Sequence, residues 1–315
     1  MTCSFDVPPG TYELRLALGS RERDARTGVR VEARRTVLAP VTTAAGQIVD
    51  RCVTVSVRTP ESMPDGQEGD GTPGLQIHLA GDAPALAGIE VLPRPQALRV
   101  LVVSDSTASD WLFGPQRGWG QELPQLFRAG LCVANYAASG SSTVSWLEDP
   151  TLFAAVRPLI RPGDQVLIQL AHNDRTTPED VYRSNLRTLV DGSRAMGGLA
   201  VLVTPPCRRL FAPDGSVTPD GRVTNQLGVD LPRVVRELAA ELHAPLLDLT
   251  ARSQALLEDL GEADSWDLYL TAERDGVQDA THFCERGATA MARLVAEEIR
   301  AAGLPAAAYL HCPGE

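Results

Sequence analysis

Hydrophobic and polar positions change rhythm once along the chain. Up to Val91 they alternate with a period of two. Tyr12, Leu14, Leu16 and Leu18 stand against Glu13, Arg15 and Ala17, and Val29 and Val31 flank Arg30. Val53, Val55 and Val57 continue the pattern, followed by Leu75, Ile77 and Leu79 and then Ile89 and Val91. A period of two turns one face of a strand toward a core and the other toward water. Turn formers separate the runs: Pro8-Pro9-Gly10, Gly19-Ser20, and a polar loop from Glu61 to Gly74 holding Asp65-Gly66 and Asp70-Gly71. Several short strands without helical periods predict a small antiparallel β-sandwich. Pro93-Arg94-Pro95 reads as a stiff linker behind it, so the expected domains are 1–94 and 95–315.

Beyond that point the pattern becomes strand, helix, strand. Short apolar runs suited to strands buried on both faces lie at Val100–Val103, Leu131–Tyr136, Gln165–Leu170, Leu199–Val203 and Pro245–Leu249. Helical periods fall at Gly120–Arg128, Pro178–Met196, Leu231–His243 and Glu285–Ala302. In the last, Ala290, Leu294, Ala296 and Ile299 gather on or near one face, with Glu297, Glu298 and Arg300 towards the other. Such alternation predicts a mainly parallel sheet with helices on both faces.

Composition narrows the function. A chain of 315 residues accommodates two domains at ~100–200 residues each. A net charge of −11 without a compensating Lys/Arg cluster argues against nucleic-acid binding. The longest apolar runs fall far short of the roughly 20 residues that cross a bilayer, so no membrane partner is expected. Met1-Thr2-Cys3-Ser4-Phe5-Asp6 shows no leader pattern; a cytoplasmic protein is expected, or a secreted one if a leader has been trimmed. The six cysteines have no C-x-x-C or zinc-like spacing; they read most simply as free thiols, a disulfide staying open, and imply no metal site. Nothing in the pattern sets an oligomeric state.

Candidate chemistry clusters where strands end. Val100 to Val103 stops at Ser104-Asp105-Ser106-Thr107. A serine just past a central strand lies at the carboxyl edge of the sheet, where open α/β folds bind ligands. A helix starting behind Ser106 would add free N–H groups and a positive dipole end. Ser106 is therefore a candidate nucleophile; an N-capped turn is the competing reading. Gly140, in Ala138-Ser139-Gly140-Ser141, can turn sharply and present its N–H, or simply serve a loop. Asn173, in Leu170-Ala171-His172-Asn173-Asp174, can aim its amide into the crevice, or cap a turn. Asp279-Ala280-Thr281-His282, ahead of the last helix, lets one segment hold a carboxylate against an imidazole. His172 is a candidate supporting residue. Of the other histidines, His78 lies in a predicted strand, His243 ends a predicted helix and His311 is near the tail.

These four blocks in this order resemble the SGNH (GDSL-type) hydrolases, named for Ser, Gly, Asn and His, and most closely the rhamnogalacturonan acetylesterases. Ala171-His172-Asn173-Asp174 and Asp279-Ala280-Thr281-His282-Phe283 match that branch. Phe5-Asp6-Val7-Pro8 and the stretch from Val31 to Arg35 resemble the galactose-binding-like β domain fused to some members. The resemblance implies a flavodoxin-like three-layer α/β/α domain behind a β-sandwich. It further implies a Ser106–His282–Asp279 triad and an oxyanion hole of the Ser106 and Gly140 N–H groups with the Asn173 amide. The implied activity is removal of O-acetyl groups from pectin-derived oligosaccharides, with no cofactor. The alternatives are another SGNH activity (lipid or aryl esterase, thioesterase) or a carbohydrate-binding protein without catalysis. Ser104 and Ala171 depart from the pattern, standing where the family usually has glycine.

Overall fold

A computed structural model describes residues 1–58 and 74–312; the turn pairs Asp65-Gly66 and Asp70-Gly71 lie outside the described residues. Seven strands come first: β1 (Thr2–Phe5), β2 (Gly10–Leu18), β3 (Ala25–Val31), β4 (Arg35–Thr43), β5 (Val49–Val57), β6 (Leu75–Ala80) and β7 (Leu86–Pro93). They pair antiparallel into a four-stranded sheet, β1-β6-β3-β4, and a three-stranded sheet, β5-β2-β7. The alternating residues supply the core between them: Leu14, Leu16, Val29, Val31, Val53, Leu75 and Ile77 are all buried there. Alternation does not mark β4, whose sequence contains Pro40. A residue without an N–H is tolerated because β4 is an edge strand.

The second half contains β8 (Leu98–Ser104), α1 (Trp119–Glu122), β9 (Leu131–Asn135), α2 (Thr143–Glu148), α3 (Phe153–Val156), β10 (Gln165–Gln169), α4 (Glu179–Ala195), β11 (Leu199–Val203), α5 (Leu231–Glu241), β12 (Leu246–Leu247), α6 (Leu249–Asp264), β13 (Tyr269–Leu270), α7 (Ala272–Asp275), β14 (Asp279–Phe283) and α8 (Glu285–Ala301). Five strands form a parallel sheet ordered β12-β11-β10-β8-β9. This is the flavodoxin-like order, whose direction reverses between β8 and β10. Period two operates inside the buried strands as well. Val100 and Val102 of β8 pack with α6 and α8, while Leu101 and Val103 face α4 and α5.

Two expected elements are shorter than their runs. The helix at Gly120–Arg128 gives way after Glu122 to a 3-10 turn at Leu123–Leu126 containing Pro124. The strand at Pro245–Leu249 is cut to β12 because Asp248 caps α6, accepting from the Ala251 N–H. Helix α6 itself escapes an apolar-period reading. Part of its buried face is polar: Thr250 donates to the Pro205 carbonyl, and Ser253 accepts from the Cys207 N–H.

Polar contacts join the N-terminal sheets to the turn that follows β8. Asp110 is buried, with Oδ2 3.4 Å from Arg35 Nε and 3.5 Å from Arg58 Nη2. Its Oδ1 accepts from Asn135 Nδ2 at 2.7 Å. Burial pushes the Asp110 carboxyl upward, offset only in part by Arg35, Arg58 and Asn135. Arg58 also lies 4.7 Å over the Tyr136 ring. Segment 94–97 is tied down too: the Arg94 N–H donates to the Thr11 carbonyl at 2.7 Å, and its guanidinium bonds Glu13.

A second buried knot fixes the turn on the sheet side. In the β8–β10 pairing Ser104 lies opposite Gln169. Gln169 Oε1 accepts from Ser104 Oγ and from Trp119 Nε1, each at 3.0 Å, and its Nε2 donates to Asp105 Oδ2 at 3.2 Å. Asp105 Oδ1 accepts from the Thr107 N–H and hydroxyl at 3.0 and 2.7 Å. His172 Nδ1 is 3.2 Å from Asp105 Oδ2. Burial alone would raise the Asp105 carboxyl, but His172 and Thr107 outweigh it and hold it at about 2.

Two measurements test these knots. Asp110→Ala leaves two buried guanidinium groups without their counter-charge, and unfolding in urea should show a loss of about 3–5 kcal/mol. Asp105 ionises at about 2 when folded, below the ordinary aspartate value of 3.8. A depressed carboxyl stabilises the fold above its unfolded value and loses that share as the pH falls through the folded one. Its contribution, about 2 kcal/mol, should therefore be complete at pH 5 and fade toward pH 2. The Asp105→Asn variant should show a correspondingly flatter fall in stability over that window.

Candidate active site

The four blocks meet at the carboxyl edge of the parallel sheet. Ser106 lies two residues beyond β8, in a turn closed by the Ala108 N–H donating to the Asp105 carbonyl at 3.1 Å. No helix starts there, contrary to expectation; the chain runs on irregularly to α1 at Trp119. The physical reason lies in where the turn's carbonyls find their donors. The Ser109 hydroxyl donates to the Asp105 carbonyl, and the Trp119 N–H takes the Thr107 carbonyl, so the turn's acceptors are satisfied without helical continuation. Any help to an oxyanion must come from individual N–H groups rather than a helix dipole. Gly118 permits the close return: a Cβ there would stand 2.3 Å from the Ala108 carbonyl carbon and the Ser109 carbonyl oxygen.

Asp279 and His282 are carried on β14, which pairs with β13 just before α8. The Asp279 Oδ1 accepts from the N–H groups of Thr281 and His282 at 2.7 and 3.0 Å. Its Oδ2 is 2.6 Å from His282 Nδ1. A carboxylate only accepts, so Nδ1 carries the hydrogen and Nε2 is left with its lone pair. Nε2 lies 2.9 Å from Ser106 Oγ and accepts from that hydroxyl. Desolvation works against the Asp279 charge, but the hydrogen bonds from the His282 ring and from the two N–H groups bring its carboxyl down to about 2. It therefore stays ionised at any pH near neutrality.

Gly140 sits at φ +79°, a conformation that glycine adopts without steric cost. Neither its N–H nor that of Ser106 has a hydrogen-bond partner among the described residues. Asn173 Nδ2 donates to the Ser141 carbonyl at 2.9 Å, tying the β10 loop to the Gly140 turn. An amide has two N–H hydrogens, so one remains to donate. The neighbouring Asp174 accepts from the Thr143 N–H and hydroxyl at the start of α2, a helix capped by Ser142, and from the Thr177 hydroxyl. His172 does not join Ser106; it is buried on Asp105, with Nε2 3.1 Å from the Pro206 carbonyl. Among the described residues no group of three or more His, Cys, Asp and Glu side chains could hold a metal ion. Nor is any described helix long and apolar enough to cross a membrane.

Three contributors escape a reading of the blocks. Gln169 links Ser104, Trp119 and Asp105 from within a strand, where nothing distinguishes it from a core-flanking polar residue. Trp111 packs edge-on against the His282 ring, centroids 5.6 Å apart, and its Nε1 donates to the Ser106 carbonyl at 3.1 Å. A tryptophan five residues past the serine, in a chain with only four, is the signal that could have found it. Arg34, from the turn between β3 and β4, donates to the carbonyls of Trp111, Leu112 and Gly114 at 3.4, 3.2 and 3.2 Å.

Residues 105–290 match the model of the GDSL-like Lipase/Acylhydrolase family. Rhamnogalacturonan acetylesterase RhgT of Bacillus subtilis (strain 168) is 37% identical over 221 residues, 66% of this chain and 92% of the relative. Probable rhamnogalacturonan acetylesterase YesY of the same strain is 31% identical over 198 residues, 60% of this chain and 86% of the relative. Among solved structures, the Bacillus subtilis protein YXIM_BACsu superposes with a TM-score of 0.59 at 25% identity, over 97% of this chain and 81% of that one. The chain belongs to the GDSL-like lipase/acylhydrolase family, the SGNH hydrolases, and is a carboxylic ester hydrolase.

Proposed function

We propose that the enzyme removes O-acetyl groups from pectin-derived carbohydrate, with rhamnogalacturonan oligosaccharides as substrate, through a Ser106–His282–Asp279 triad. The observation that carries the chemistry is the continuous line from Asp279 Oδ2 to His282 Nδ1 at 2.6 Å and from His282 Nε2 to Ser106 Oγ at 2.9 Å. The names of the two Bacillus relatives support the substrate.

In this reading His282 Nε2 takes the Ser106 proton as Oγ attacks the acetyl carbonyl, and Asp279 steadies the imidazolium. The oxyanion is held by the N–H groups of Ser106 and Gly140 and by the free N–H of the Asn173 amide. His282 returns the proton to the departing sugar hydroxyl. It then activates the water that releases acetate and restores Ser106. Trp111 steadies the imidazole from its edge, and no cofactor takes part. The same reading divides the chain at 94 and 95, with the N-terminal sheets buttressing the nucleophile turn rather than supplying a group to the reaction.

Ser106→Ala should keep its melting temperature and lose on the order of a millionfold in kcat, as serine triads do. Substantial turnover of p-nitrophenyl acetate by that variant would end the triad assignment. A series of acyl esters on the wild type tests the leaving acid: acetate should be preferred over butyrate and longer chains, and the reverse order would point to a lipid esterase. Asn173→Ala should lower kcat by about 10²–10³ with KM little changed, because the donor acts on charge that exists only in the intermediate. Its melting point should fall by no more than a few degrees, since one hydrogen bond to Ser141 is lost. An early melt with full turnover in the folded fraction would make Asn173 a structural residue only.

A further inference from the structure

The segment that carries Trp111 is held mainly by residues outside itself. From 111 to 116 it forms neither helix nor strand, and its Phe113 side chain is exposed rather than packed. Its backbone is gripped from the N-terminal sheets. Arg34 Nη1 donates to the carbonyls of Trp111, Leu112 and Gly114. The buried Gln121 bridges the same two pieces, its Nε2 donating to the Trp111 carbonyl at 3.0 Å and to the Ala33 carbonyl at 2.6 Å. Arg34 is fixed from behind as well, its own carbonyl accepting from Arg117 Nη1 at 3.0 Å. Trp111 in turn touches both reacting residues, with its ring against the His282 imidazole and its Nε1 on the Ser106 carbonyl.

We propose that Arg34 is a positioning residue for the reaction, acting through Trp111 to hold the His282 ring and the Ser106 turn in line for proton transfer. This role rests on the Ser106–His282–Asp279 reading and carries its support across to the N-terminal sheets. Two features favour it over a purely structural one. Asp279 grips the imidazole at Nδ1, and the Trp111 ring is packed against its flank, so the 2.9 Å line from Nε2 to Oγ depends on both. A misplacement of about 1 Å there is enough to cost on the order of 10²-fold in rate. The second feature is the charge of the fastener. Arg34 is half-buried and makes no ion pair among the described residues, while Glu285 is taken up by Arg30 and Arg117. Burial, with repulsion from Arg117 and Arg30, lowers its guanidinium to about 10. An unpaired cation beside two others is a poor choice for stability alone. As a charged donor it grips carbonyls about twice as strongly as a neutral one, which suits a part that must not move.

The test is a double-mutant cycle read with p-nitrophenyl acetate, which has no sugar for Arg34 to bind. Arg34→Gly removes the guanidinium and keeps the left-handed φ of +58° without strain, so the hairpin should fold. It should lower kcat at least about tenfold, with KM within about twofold and the melting temperature within a few degrees. Arg34→Lys should restore most of the rate, since an ammonium also offers donors to three carbonyls. Trp111→Ala should lower kcat at least as far, and adding Arg34→Gly to it should cost less than about twofold more. A loss in Arg34→Gly that is smaller than this, or confined to KM, overturns the role, as do losses that multiply in the double variant. Arg34→Gln repeats the cycle should the glycine variant not fold, with the same non-additivity expected. Ser106→Ala separates this role from the reading beneath it. Turnover in that variant overturns both together, whereas an inert Ser106→Ala with multiplying losses overturns the role of Arg34 alone.

Discussion

The position of Ser106 depends on a buried polar knot that fastens the end of β8 to its neighbour β10. Gln169 spends both ends of its amide there, accepting from Ser104 and Trp119 and donating to Asp105. Inside a protein such a network is worth having only when every member is satisfied. Asp105 meets that condition through Thr107, Gln169 and His172. The neighbouring β8 and β10 then bring the serine turn and the Asn173 loop side by side where the strand order reverses. The serine hydroxyl of Ser104, where the family usually has glycine, is absorbed by this knot. The departure from the family pattern supplies one more donor to Gln169.

The two halves of the chain hold the nucleophile turn from opposite sides. Gln169 and His172 fix Asp105 from the sheet, while Arg35 and Arg58 fix Asp110 from the N-terminal strands. Only four residues separate the two carboxylates, and Ser106 lies between them. The family match covers residues 105–290, yet YXIM_BACsu superposes on 97% of the chain, N-terminal sheets included.

Much of this is legible in the sequence because period and position are local properties. The alternation from Tyr12 to Leu18 marks β2, and uniform apolar runs mark β8, β9, β10 and β11 within a residue or two. The pairing of Asp279 with His282 is readable because only two residues lie between them and both belong to one strand. What escapes is set by partners distant in sequence. The helix expected after Ser106 fails because Trp119 satisfies the Thr107 carbonyl from twelve residues away. Helix α6 hides because Thr250 and Ser253 are buried as hydrogen-bonding groups. Arg34, Arg35 and Arg58 look like ordinary strand-end cations until the turn they grip is in place.

The turn between β3 and β4 has a further consequence. Glu32 and Arg34 both sit at positive φ, 51° and 58°, in a left-handed conformation that side chains other than glycine adopt at a cost of order 1–3 kcal/mol each. That shape lets the Arg34 carbonyl receive Arg117 while its guanidinium spans the carbonyls of Trp111, Leu112 and Gly114. The sandwich is thus fitted to its neighbour by backbone shape as well as by charge. In recombination between relatives it does not travel as an interchangeable module. A foreign sandwich of the same topology with a relaxed hairpin tip would leave the loop beside His282 without its mould.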